Sequence, residues 1–379
     1  MEVRLSKPRR GLFLSASAAA ALIIGLAGNG SARAQAAPPD VVKLPSGLNL
    51  GGSSFYDGFG RTTPGWLYLN FARWNHYTSI KDDHGHSSPA FQDPRIDTFS
   101  NLFHVVYFTP YGGSKGLVTF EALMPIVGFD TRFNPSGAVL KDNGLGVGDL
   151  TFGVDYQARP VHSHSGSVFT WRAGLDFVAP TGSFDARRDL NQGSGFWSIT
   201  PYLAMTLLPA PKWEVSTRLN YDYNFKTSLG GDPPPIPGFT FRNGQAGQAA
   251  WIIFASSYEV AEGIRPGING YYLRQVNDDR ANGASVPHSR AEEFFLGPGL
   301  SWQRSRKSVM NLQPLPADYR EERRLWTRLQ HPEHRSVLRR LLASSDAGIV
   351  VDAISLACAR GGRMPRPFGR LGAIVRRRG

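Results

Sequence analysis

The chain has 379 residues, with 42 Lys and Arg against 30 Asp and Glu, a formal net charge of +12 and a single cysteine, Cys358. Such a surplus would ordinarily point to nucleic acid or a membrane surface, but 17 of the basic residues and only six acidic ones fall in 304–379. The body, 36–302, keeps 20 basic and 23 acidic residues and no Cys, which excludes a nucleic-acid surface, disulfides and thiolate metal sites there.

At the start, Arg4, Lys7, Arg9 and Arg10 precede a small apolar stretch from Leu12 to Ala27, and Ala32-Arg33-Ala34 supplies small residues. This is the pattern of a cleaved export signal, assigned to 1–36. Its apolar core is too short for a spanning helix, and no later apolar run approaches the ~18 residues that a helix needs. No Cys follows the cleavage site to take a lipid. A membrane protein with this signal would have to be a closed barrel, because lipid tolerates no open sheet edge.

From 37 to 303 the dominant pattern is alternation. Leu150, Phe152, Val154 and Tyr156 interleave with Asp149, Thr151, Gly153 and Asp155. Trp213, Val215, Leu219, Tyr221, Tyr223 and Phe225 interleave with Glu214, Ser216, Arg218, Asn220, Asp222 and Asn224. A period of two sends these sets to opposite faces of a strand. The pattern predicts ten strands, near 65–76, 95–109, 116–127, 146–157, 167–179, 196–208, 213–225, 247–259, 264–274 and 292–302. Each is long enough to cross hydrocarbon at a tilt, which takes roughly nine to eleven residues. Strands of soluble domains more often stop at about five or six.

The connections alternate in length. Those at 111–115, 158–166, 209–212 and 260–263 are short, whereas 77–94, 128–145, 180–195, 226–246 and 275–291 are long. Short turns on one side and long loops on the other are the habit of transmembrane barrels. Trp66, Trp74, Trp197 and Trp213 fall at predicted strand ends, where amphipathic rings settle at a membrane interface. The fold class expected is therefore all-β, an antiparallel transmembrane β-barrel.

In that fold the charged face lines a lumen. The candidates are Asp149, Asp155, Arg172, Asp176, Glu214, Arg218, Asn220 and Asp222. Two roles are open to them: touching a solute, or pairing with one another to hold strands in register. Phe184, Phe196 and Phe239, in the long loops, are candidates for receiving an apolar ligand at the entrance. His84-Gly85-His86 and His162-Ser163-His164 lack a companion cluster at zinc spacing, so no metal is expected. His104 would need a nucleophile and an orienting carboxylate to act as a catalytic base. The glycine-rich Gly144–Asp149 opens a strand rather than a helix and lacks the helix terminus of a phosphate loop. No cofactor and no catalytic residue follow from these motifs.

Several segments carry a family likeness: Leu44-Pro45-Ser46-Gly47 with Gly51–Phe59, then Gly146–Gly153, Ala179–Asp185 and Asn191–Trp197. Over 44–302 the chain resembles the phenol-degradation meta-pathway family of outer-membrane β-barrel proteins. The resemblance implies about twelve strands in intact relatives, an outer-membrane location in a Gram-negative bacterium, and transport of small hydrophobic or aromatic compounds. It implies outer-membrane lipid and such a compound as partners, and no catalytic residues. Relatives typically end in further strands and a terminal aromatic residue. This chain departs there: 304–379 is Arg-rich and ends Arg376-Arg377-Arg378-Gly379. Three readings stand for it: a frameshifted end, a basic tail for anionic partners, or a folded extra domain, with Leu325, Leu329, Leu338 and Leu341 on a possible helical stripe. Rivals to the channel reading are an exported soluble β-sandwich binding protein, a barrel enzyme acting on lipids, and a structural barrel with no transport role.

Overall fold

The computed structural model describes residues 38, 41–45, 47–80, 87, 89–231, 239–287, 289–305, 308–316 and 347–355. Among the described residues the main sheet is built of twelve long strands, with Leu145–Val147 and Val161–His162 as short additions: β1 (Gly65–Tyr77), β2 (Arg95–Phe108), β3 (Gly116–Arg132), β4 (Leu150–Ala158), β5 (Val168–Ala179) and β6 (Ser198–Ala210). They continue as β7 (Trp213–Asn224), β8 (Ala249–Tyr258), β9 (Ile264–Gln275), β10 (Glu292–Ser305), β11 (Ser308–Pro316) and β12 (Ala347–Ser355). Each pairs antiparallel with its neighbours in sequence. Phe71 of β1 then lies opposite Asp352 of β12, which joins the two ends of the sheet. This ladder runs from Asn70 to Trp74 and brings the two edges of the sheet together, as lipid requires of a spanning sheet.

The ten predicted strands are all present. Two more, β11 and β12, lie within 304–379, the segment expected to be an atypical tail. The helical stripe around Leu325 to Leu341 lies outside the described residues. One strand is longer than alternation suggested: β3 runs to Arg132, because Arg95–Phe99 of β2 offer it a ladder beyond residue 127. Pro125 sits inside β3 where its pairing on the β4 side breaks off, between Leu123↔Thr151 and Ile126↔Val147. A residue without an N–H is tolerated at such an interruption, and the Pro125 carbonyl still accepts from Gly148 N at 2.8 Å.

The short turns, 109–115, 159–167, 211–212 and 259–263, share one end of the barrel, and the long loops share the other. The loop end is itself structured. Gly244–Gln245, Arg280–Ala281 and Ala284–Ser285 form a small sheet, turned by Asn282 and Gly283 at φ 52° and 81°. A two-residue hairpin turn requires positive φ at both positions, which Asn and Gly adopt most readily.

The distribution of side chains inverts that of a water-soluble sheet. On β7, Glu214 and Asp222 are 0% exposed and Arg218 7%, while Leu219 between them is 44% exposed. On β4, Asp155 is buried and Phe152 and Val154 are exposed. Aromatic side chains gather outside at both ends: Trp66, Trp213, Tyr258 and Trp302 toward the turns, and Trp74, Trp197, Tyr221, Tyr223 and Phe225 toward the loops. Trp213 Nε1 donates to Ser256 Oγ at 2.9 Å, which satisfies the one polar atom of that ring. An apolar band between two aromatic belts is what a hydrocarbon slab selects.

The inversion makes a directional forecast. Leu219→Arg, mid-strand on the outer face, should destabilise the barrel in bilayers by roughly 2–4 kcal/mol, measured by denaturant titration of the heat-modifiable gel band in lipid vesicles. A change within about 0.5 kcal/mol, usual for an exposed site in water, would contradict a lipid-facing position.

Candidate functional site

The segment 41–60, which precedes β1, runs inside the barrel from the loop end to the turn end. At the loop end Val42 packs with Phe196 and Ala246, and Gly231 N donates to the Val41 carbonyl at 2.9 Å. Next, Leu44, Leu48 and Leu50 bury against the inner face of β8 and β9, on Trp251, Ile253, Tyr271 and Leu273. The backbone there is caught by side chains of the wall: Trp251 Nε1 donates to Asn49 O at 2.8 Å and Arg73 Nη2 to Leu50 O at 3.2 Å. Asn49 closes a local turn by accepting from Ser53 N at 3.1 Å. The Phe55 ring fills a notch that exists because positions 267 and 299 are glycines; a Cβ on either would come within 2.8 Å of the ring.

At the turn end the plug is locked by polar contacts. Tyr56, at φ 60°, donates its N–H to Glu214 Oε1 at 2.9 Å. Glu214 also accepts from Ser216 Oγ and, at 2.7 Å, from Ser257 Oγ. Burial raises the Tyr56 phenol above its ordinary pKa, with the Arg265 guanidinium, 5.0 Å from the ring centroid, pulling the other way. Gly58 N donates to Thr206 Oγ1 at 2.9 Å, and its carbonyl accepts from Gln157 Nε2 at 2.9 Å.

Between these contacts lies a charged cluster. Asp57 Oδ1 accepts from Arg172 Nη2 at 3.2 Å and Arg218 Nη1 at 3.3 Å. Both guanidiniums lie over the Tyr202 ring, Arg218 at 3.7 Å and Arg172 at 5.6 Å from its centroid. Tyr202 in turn donates to Glu121 Oε1 at 3.0 Å, and Glu121 Oε2 is 2.6 Å from His104 Nε2. Cation–π contact and charge-assisted hydrogen bonds are strongest in such a desolvated setting.

Beside the plug remains a cavity of about 550 Å³. Leu67, Leu69, Phe71, Leu102, Leu123 and Val127 of β1–β3 give it an apolar strip, flanked on the same strands by Arg73, Asn75, Thr98, His104 and Glu121, while Asp57 of the plug, Arg172 of β5 and Arg218 of β7 also line it. The lumen thus carries an apolar strip beside charged and polar groups.

The sequence candidates take different places. Asp155, Arg172, Asp176, Glu214, Arg218, Asn220 and Asp222 all point inward. Asn220 Oδ1 accepts from Arg218 Nε at 3.0 Å, and Asp222 Oδ1 from Thr200 Oγ1 at 2.9 Å. Asp149 stands apart: it ties down a long loop, accepting from Gly182 N at 2.9 Å and Ser194 N at 2.7 Å. Phe196 is buried under the loops and presents no face to an arriving solute, which corrects its place among the entrance residues. Phe184 and Phe239 are half-buried in their loops. His104 is paired with Glu121 and lies against Phe71. His84 and His86 lie outside the described residues, and no group of three metal-ligating side chains converges among the described ones.

The residues of the cluster that sequence reading missed are Asp57, Glu121 and Tyr202. Asp57 lies in a motif recognisable only by family likeness, without periodicity. Tyr202 lies on β6, where Ile199, Leu203 and Leu207 alternate with Tyr202, Ala204 and Leu208, so neither face advertises a polar role.

With this geometry in hand, residues 78–313 match the model of the family described as "Putative MetA-pathway of phenol degradation". The chain belongs to that family. The match begins after the Leu44–Phe59 motif and reaches into β11. Among solved structures, the COG4313 outer membrane channel from Pseudomonas putida F1 is similar at TM-score 0.59 and 14% identity, covering 79% of this chain and 98% of that one. The β domain of the Bordetella autotransporter BrkA gives TM-score 0.30 at 12% identity, covering 66% and 90%. The FrpB iron transporter from Neisseria meningitidis gives TM-score 0.25 at 9% identity, covering 70% and 49%. No curated protein sequence matches the chain.

The close seat of the plug can be tested at Gly58. A Cβ there would fall 2.6 Å from Thr206 N and 2.8 Å from Met205 C, backbone atoms that cannot step aside. Gly58→Val should therefore unseat the plug and raise single-channel conductance in planar bilayers several-fold, with the barrel still heat-modifiable on gels. Unchanged conductance would mean that 41–60 does not limit the passage.

Proposed function

We propose that this member of the family is an outer-membrane channel for small hydrophobic or aromatic compounds, exported through a cleaved signal at 1–36 and seated in the outer membrane of a Gram-negative bacterium. The observation that carries the reading is the apolar strip along the lumen. A pore for hydrated solutes gains nothing from inward Leu67, Leu69, Phe71, Leu102, Leu123 and Val127. An aromatic solute gains a path on which it need not be rehydrated, since apolar area removed from water is favourable by roughly 25 cal/mol per Å². At about 550 Å³ the cavity is of the size that small-molecule sites occupy. Passage of this kind needs no chemistry, and both the family and the fold point to a channel rather than to an enzyme family.

A second reading has one observation in its favour. The plug is held at many points by the wall, as a purely structural barrel with a filled lumen would be. Flux separates the two. Leu102→Glu places a charge on the oily wall and should slow phenol or benzyl alcohol entry into proteoliposomes about tenfold, as 1.4 kcal/mol in a barrier does, while small-sugar permeation stays as it was. If wild-type protein does not speed aromatic entry over empty liposomes, the structural reading stands instead.

A further inference from the structure

Asp57 holds the plug in place with only part of its bonding capacity. Its Oδ1 is shared by two guanidiniums, at 3.2 Å from Arg172 Nη2 and 3.3 Å from Arg218 Nη1. Its Oδ2 is buried with no hydrogen-bond partner, and so is Arg172 Nε. Guanidinium and carboxylate match best through two parallel N–H···O bonds. Buried polar atoms left unpaired are destabilising, so this seat is one that a better-placed carboxylate can improve upon. The guanidiniums do not depend on Asp57 for their position: both rest over Tyr202, and Arg218 Nε is held by Asn220 Oδ1 at 3.0 Å. Both also line the cavity, across from Leu69, Phe71 and Leu102.

We propose that Arg172 and Arg218 form a carboxylate-binding site, and that its ligand is a small apolar monocarboxylate, with an aromatic ring for preference, which exchanges for Asp57 and so releases the plug. The inference rests on the cavity being a solute path and names the solute class. Charge explains why binding and release are coupled. Glu121 and Asp155 act on the same two guanidiniums as Asp57 does, and Asp176 acts on that of Arg218. A further carboxylate added beside Asp57 and Glu121 would be repelled, whereas exchange of one carboxylate for another leaves the cluster's charge as it was. The ring of the incoming acid would lie along Phe71 and Leu102, which a charged plug residue cannot exploit. A neutral aromatic solute has no group to compete with Asp57 and leaves the plug seated.

The test uses the full-length barrel in proteoliposomes with Cys358→Ser and with Ser54→Cys as a reporter on the plug, where Ser54 is buried. 4-Propylbenzoate should raise the rate of Ser54→Cys labelling by a membrane-impermeant maleimide about tenfold, and 4-propylbenzamide should not. Adding Asp57→Asn should raise labelling without ligand and tighten benzoate binding about tenfold, as expected when a competent state occupied one time in ten becomes the main one. Arg218→Gln should remove the benzoate effect. Heat-modifiable migration checks that each variant is folded, and the benzoate–benzamide comparison leaves the cluster unaltered. Equal effects of acid and amide, or benzoate affinity unchanged by Asp57→Asn, would overturn the site. If neutral aromatics still permeate in that case, the channel reading survives. Benzoate-specific release without any aromatic flux would support the site and remove the channel.

Discussion

A sheet that stands in hydrocarbon must satisfy every backbone polar group within itself, and the remaining features follow from that constraint. Strands long enough to cross at a tilt and antiparallel pairing from β1 round to β12 are its direct consequences. The same constraint sorts side chains. Leu219, Val215 and Phe152 can be exposed only because their surroundings are apolar, and Glu214, Arg218 and Asp222 then have to be accommodated inside.

Accommodating them raises a second difficulty, since a narrow lumen is itself a poor solvent for charge. The chain meets it with paired groups and with its own leading segment. Asp57, Glu121 and Tyr202 surround Arg172 and Arg218, and the backbone of 49–58 supplies carbonyls to Trp251, Arg73 and Gln157 and N–H groups to Glu214 and Thr206. Much of the polar face of β4–β7 is thereby covered, while Leu67, Leu69, Phe71, Leu102, Leu123 and Val127 of β1–β3 are left lining the cavity. The plug and the cavity beside it are two results of one arrangement: the segment that meets the charged groups leaves the apolar strip uncovered.

Much of this was legible in the amino-acid order, and the reason is local. Alternation such as Arg218-Leu219-Asn220-Tyr221 assigns faces without knowledge of any partner strand. Alternation alone cannot say which face meets water; the unequal connections and the aromatic residues at strand ends supplied that. What remained hidden depends on distant pairs. Nothing near Asp57 announces Arg172 or Arg218, more than a hundred residues away. The extension of β3 to Arg132 follows from the reach of β2, not from residues 128–132 themselves. The strands β11 and β12 were obscured by Pro314 and Pro316 and by the unbroken apolar run Ile349-Val350-Val351, which show no period of two. Closure of the sheet supplies the partner ladders that their own pattern does not advertise.

The central claim is that aliphatic and aromatic faces meet acyl chains while ionic faces meet an enclosed aqueous interior. Spin labels placed singly at 213 through 224 and read in lipid vesicles test it most directly. The account predicts a strict alternation: labels at 213, 215, 217, 219, 221 and 223 relaxed by oxygen dissolved in the bilayer, and labels at the even positions shielded from it. Oxygen access at the even positions, or no alternation at all, would contradict it.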